Sequence, residues 1–199
     1  MQRIGSELFV LHIFGRSCTL NFCTTTTTKI FSSAGSIFAG KKGRIPEAVH
    51  YQERALRQDP TGAVINTANY DKSQAGYNSL PMSVSINLEQ MAVQAMGESD
   101  FAGAAAVYGR KLSVQQMLRD AVEPLGSRLA GEAAERKGFS DGDIAHSQLK
   151  LDFAQALAAA VEKSGAESEE VRGLLGLAKQ SRSPADLAEV VRKARAAAG

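Results

Sequence analysis

Apolar residues recur at spacings of three and four through the C-terminal half of this chain, the period of helices that bury one stripe and expose the rest. Val114, Met117, Leu118, Ala121 and Leu125 form one such stripe, and Leu149, Phe153, Leu157 and Val161 form another. Val171, Leu174, Leu175 and Ala178 follow, and then Leu187, Val190, Val191 and Ala194 at i, i+3, i+4 and i+7. Isolated helices shorter than about 12–15 residues rarely hold in water. Each of these segments must therefore pack on its neighbours or on a partner.

Capping residues punctuate the stripes. Pro46 stands where a first helical turn tolerates proline, so a helix is predicted over Ile45–Gln58, ended by Asp59-Pro60. Thr61 to Ser85 shows no helical period and reads as a linker or irregular arm, with a short strand at Ala63–Asn66. Asn87 is placed to cap a helix carrying Met91, Ala92, Ala95 and Met96, closed by Gly97. Asp100 opens a short Ala-rich turn that ends near Gly109.

Ser113 with Gln116 has capping-box spacing for the next helix. Pro124 predicts a kink or break there, with Leu125, Leu129 and Ala133 continuing on a new axis until Gly138. Ser140 with Asp143 opens the longest helix, to about Lys163, and Gly165 sits where a C-terminal cap belongs. Ser168 ahead of Glu169 and Glu170, and Ser183-Pro184, open the last two.

The fold class implied is mainly α. A bundle of short amphipathic helices spans residues 86–199, behind a short helix and irregular linker over 45–85 and an irregular, partly extended arm over 1–44. Composition sharpens this: 22 of the last hundred residues are Ala, the strongest helix former, Trp is absent and aromatics make up 6%. No fixed-period repeat points to a solenoid.

Charge divides the chain. Residues 1–44 carry six basic groups against Glu7 alone, a net of +5, whereas residues 45–199 carry a net of −3. An acid-poor arm with scattered Arg and Ser matches the composition of a targeting leader. An adhesive pair of strands and a start codon set too far upstream are the rival readings. Cys18 and Cys23 leave the redox compartment open. No apolar run approaches the ~18 residues of a membrane span. No compartment follows beyond a cytoplasmic default, or import or secretion through residues 1–44.

Three motifs match in part. Gly35 to Lys42 fits G-x-x-x-x-G-K but puts Lys42 where a phosphate loop needs a hydroxyl for magnesium. Gly138-Phe139-Ser140-Asp141-Gly142 fits G-x-S-x-G, yet a charged helical stretch precedes the serine where a nucleophile elbow needs a strand. His146 follows six residues later on the same helix and does not fold back onto Ser140 in triad geometry, so Ser140 reads as a helix cap. Cys18 and Cys23 have the spacing of a zinc half-site without a second half.

The basic residues Arg182, Arg192, Lys193 and Arg195 are interrupted by Asp186 and Glu189 and lack aromatics for base stacking, which disfavours nucleic acid as a main partner. Tyr70, Asp71, Tyr77 and Asn78 are the one polar cluster with an aromatic component. Along the bundle helices no polar groups are set to converge.

These readings imply no catalytic residue, cofactor or metal. The expected function is non-enzymatic: an interaction or assembly protein that engages another protein, or a second copy, through amphipathic helix faces. Met91, Met96, Met117, Leu187, Val190 and Val191 are the candidate contact residues, with the methionines offering an adaptable apolar surface. The alternative is a translocated helical protein addressed by residues 1–44.

Overall fold

A computed structural model describes residues 44–61, 63, 80–126 and 139–199. These form six helices and one 3-10 turn, with no strand among the described residues. In chain order they are α1 (Ile45–Gln58), α2 (Leu80–Gly97), α3 (Phe101–Val122), α4 (Asp141–Ser164), α5 (Glu169–Gln180) and α6 (Pro184–Ala198), and the 3-10 turn Glu123–Leu125 follows α3. The mainly α class expected from the periodicity is the observed one.

Local chemistry sets most boundaries as the sequence implies. Pro46 lies in the first turn of α1, which ends at Gln58 ahead of Asp59-Pro60. Ser140 and Asp143 form a reciprocal capping box at α4, and Ser183 and Asp186 form another at α6. Ser168 Oγ accepts the Val171 N–H to start α5. Gly165 closes α4 with φ 87°, a left-handed backbone that glycine adopts without strain. Pro124 ends α3 in the 3-10 turn. The expected continuation through Leu129 and Ala133 lies outside the described residues, as does all of the arm over 1–43.

Other boundaries differ from expectation. Helix α2 begins at Leu80, and Asn87 is an interior residue whose Nδ2 donates to Gln52 Oε1 on α1 at 3.1 Å. The stripe reaches back past Asn87, because Val84 continues it and Pro81 sits in the tolerant first turn. Ala63 is helical, not extended, and donates to the Asp59 carbonyl at 3.0 Å.

Helix α3 runs unbroken for 22 residues through Gly109 and Ser113, and Ser113 caps nothing. A mid-helix glycine costs about 1 kcal/mol. Burial of Ala104, Tyr108, Leu112, Val114 and Leu118 on both sides of it outweighs that cost. Asp100 caps α3 by accepting the Gly103 N–H at 2.8 Å, and any side chain at position 103 would collide with its carboxylate.

The core has two ends and a waist. At one end Val49 and Leu56 of α1 close over Val84 and Leu88 of α2, Val114, Leu118 and Val122 of α3, and Phe139. At the other, Phe101 of α3 and Phe153, Leu157 and Ala160 of α4 meet Val171 and Leu174 of α5 and Leu187, Val190, Val191 and Ala194 of α6. Between them Ala92, Ala104 and Ala154 are fully buried beside Tyr108, so α2, α3 and α4 approach closely.

Candidate groove and its charged floor

Polar groups do converge in this bundle, contrary to the expectation from sequence. Glu89 on α2 receives Lys111 from α3 at 2.6 Å and Lys150 from α4 at 2.5 Å, so one carboxylate ties three helices together. The Lys111 side chain is 11% exposed and those of Glu89 and Lys150 about a quarter. Burial pushes the Glu89 carboxyl up, but hydrogen bonds from both ammoniums outweigh it and hold the group below the usual carboxylate range. Burial, reinforced by the Glu89 charge, raises the neighbouring Tyr108 phenol far above its ordinary value.

His146 lies one turn before Lys150 on α4. Its Nδ1 is buried and has no hydrogen-bond partner among the described residues. Burial, then the Lys150 charge, lowers its pKa, and Glu89 offsets part of this. The imidazole is therefore held toward its neutral form.

Above these groups lies an open groove with a volume near 710 Å³. Val93 and Met96 of α2 line one wall, His146, Lys150 and Phe153 of α4 lie beneath, and Leu175, Ala178 and Lys179 of α5 face them. The turn into α6 closes the far side with Arg182 and Leu187. Val93 is 56% exposed, the most open large apolar side chain among the described residues. A concave, mainly apolar surface with a few convergent polar groups is the usual form of a binding site between bundle helices.

The candidate contact residues divide. Met96 and Leu187 both line the groove, from opposite sides. Met91 and Met117 are half-buried against the first core end. Val190 and Val191 are closed off inside the second, at 5% and 3% exposure, and so contribute to the fold rather than to its surface. Sequence reasoning missed Val93, Glu89, His146 and Lys150. A signal was present on α4, where His146, Lys150 and Phe153 share one face at i, i+4 and i+7.

Ser140 Oγ hydrogen-bonds Asp143 Oδ2 at 2.6 Å, and the helix cap is the role its geometry gives it. Cys18, Cys23, Gly35 to Lys42 and the Tyr70–Asn78 cluster lie outside the described residues. Among the described residues no three His, Cys, Asp or Glu side chains gather as a metal site, and no helix is long and apolar enough to cross a membrane. No protein-family model, no curated protein and no solved structure matches this chain.

Proposed function

We propose that this chain is a non-enzymatic interaction protein whose groove receives an amphipathic helix of a protein partner. The observation that carries the reading is the open apolar wall of α2, where Val93 stands exposed beside Met96 and faces Leu175 and Leu187. A docked helix presents anchors at i, i+3 or i+4, and i+7, and a trough between helices accepts such a row. The floor charges serve to fasten the helices: Glu89 is committed to two ammoniums and is no free base.

The test is site-specific photocrosslinking in native cells. A benzophenone side chain at Val93 is expected to capture one discrete partner, with the adduct mapping to an amphipathic segment of it. The same group at Gln155, on the exposed side of α4, should capture nothing comparable. Equal capture at both positions, or none at Val93, refutes the reading.

A further inference from the structure

The cations of this bundle are not distributed evenly with respect to their partners. On α3, Arg110 meets Glu53 at 2.8 Å, Lys111 meets Glu89, and Arg119 meets Asp141. On α6, Arg192 and Lys193 both meet Glu189, and Arg195 reaches Asp152 on α4 at 2.8 Å. Every basic side chain of those two helices thus has a carboxylate within the chain. Helix α5 and the turn after it differ: Arg172, Lys179 and Arg182 have no carboxylate partner among the described residues. Lys179 and Arg182 line the groove.

Nor does the groove supply the missing acid. Glu89 is its one acidic lining residue, and it is occupied by Lys111 and Lys150. Asp186, near Arg182 in sequence, is engaged by the backbone N–H groups of Arg182 and Ser183 as the cap of α6. One wall of the groove is therefore apolar and the other carries two uncompensated positive charges.

We infer that the groove's partner is acidic: an amphipathic helix whose apolar face is bordered by Asp or Glu side chains that meet Lys179 and Arg182. This rests on the groove reading above and specifies the partner's chemistry. Complementary charge of this kind selects the partner and its orientation more than it sets affinity. The concavity distinguishes a helix from an anionic membrane, because a flat lipid surface would meet Lys179 and Arg182 without reaching Phe153 beneath them.

Two synthetic helical peptides test this on the full chain. Both share a leucine stripe at i, i+4, i+7 and i+11, and one carries Glu and the other Lys along the flank. Fluorescence anisotropy at low salt is expected to give about tenfold tighter binding of the Glu peptide, the sum of two exposed ion pairs. The preference should shrink in about 0.5 M salt, where the screening length falls to a few ångströms. It should reverse in the double variant Lys179→Glu, Arg182→Glu and persist in Arg172→Glu, which changes an unpaired cation outside the groove.

Equal binding of the two peptides, or a preference for Lys, overturns the acidic partner while leaving the groove reading intact. Failure of both peptides to bind overturns the groove reading and this inference with it. Tighter binding to phosphatidylcholine vesicles doped with phosphatidylserine than to the Glu peptide overturns the choice of a protein helix.

Discussion

The two ends of this bundle meet the same demand for burial in different ways. At the first, α1 lies over the opening half of α2, and seven aliphatic side chains from three helices close around one another, all at 1% exposure or less. At the second, α5 and α6 cover α4, but no apolar side chain of α1 reaches past the waist to cover the closing half of α2. Val93 and Met96 are left facing a trough. The first end is closed by the chain's own residues, whereas at the second no helix among the described residues covers that face of α2. An incomplete layer of this sort is where a partner helix gains most by docking.

The largest expected effect addresses whether the two ends are one folding unit. Leu118→Ala empties the first end and Leu157→Ala the second, both from side chains at 1% exposure or below. Each should cost about 3 kcal/mol, the usual range for a buried leucine. Urea unfolding followed by circular dichroism should show one transition for both variants, shifted alike, because the alanine waist couples α2, α3 and α4. Two separated transitions in either variant would break the comparison, making the ends independent.

The next effect concerns the tie beside the waist. Glu89→Ala leaves Lys111 and Lys150 facing each other without their carboxylate, and Lys111 is too enclosed to hydrate freely. The loss should be about 2 kcal/mol, between the values for exposed and fully buried pairs. Because burial and two ammoniums act on a carboxyl held below its ordinary range, wild-type stability from this group is full above pH 4.5 and falls as pH drops through the lowered value. Glu89→Ala should therefore flatten the acid limb of a pH–stability curve. An unchanged limb would mean that the tie contributes nothing.

A smaller effect separates local from long-range information. Ser140→Ala removes the cap of α4 and should cost about 1 kcal/mol, with Ser183→Ala at α6 similar. Thermal melts would check both, and no change would mean that the caps are redundant. Both caps were legible in the sequence because their signals are local: a hydroxyl three residues before Asp143 at α4, and a serine directly ahead of Pro184 at α6. The same holds for Pro46, Asp59-Pro60 and Gly165.

What sequence could not show is what distance brings together. Glu89 lies 22 residues from Lys111 and 61 from Lys150, and their meeting follows from helix packing alone. Ser113 misled for the opposite reason: a perfect local capping pattern was overruled by the buried stripe running through it. The groove is open because no described helix covers the closing half of α2, and no periodicity within α2 distinguishes the covered half from the open one.

The smallest effect is a pH response at the groove floor. His146 faces Glu89 from α2, Tyr108 and Lys111 from α3, and Lys150 and Asp143 on its own helix. Burial and the Lys150 charge depress its pKa below 6.5, so the folded chain binds this proton less readily than the unfolded one. Stability from His146 is then full above pH 6.5 and declines as pH falls below it, whereas Glu89 contributes its own loss only under pH 4.5. Melts at pH 7.5 and 5.5 isolate the histidine from that carboxylate. The wild type should lose some stability between them and His146→Gln less, a difference smaller than that of the Ser140 cap. If the titration belongs to the groove, the first-end variant Leu118→Ala should keep the wild-type response to pH, because Leu118 packs in the first-end cluster, to which His146 does not belong. A response that vanished with Leu118→Ala would place the titration in the packing of the whole bundle rather than at the groove.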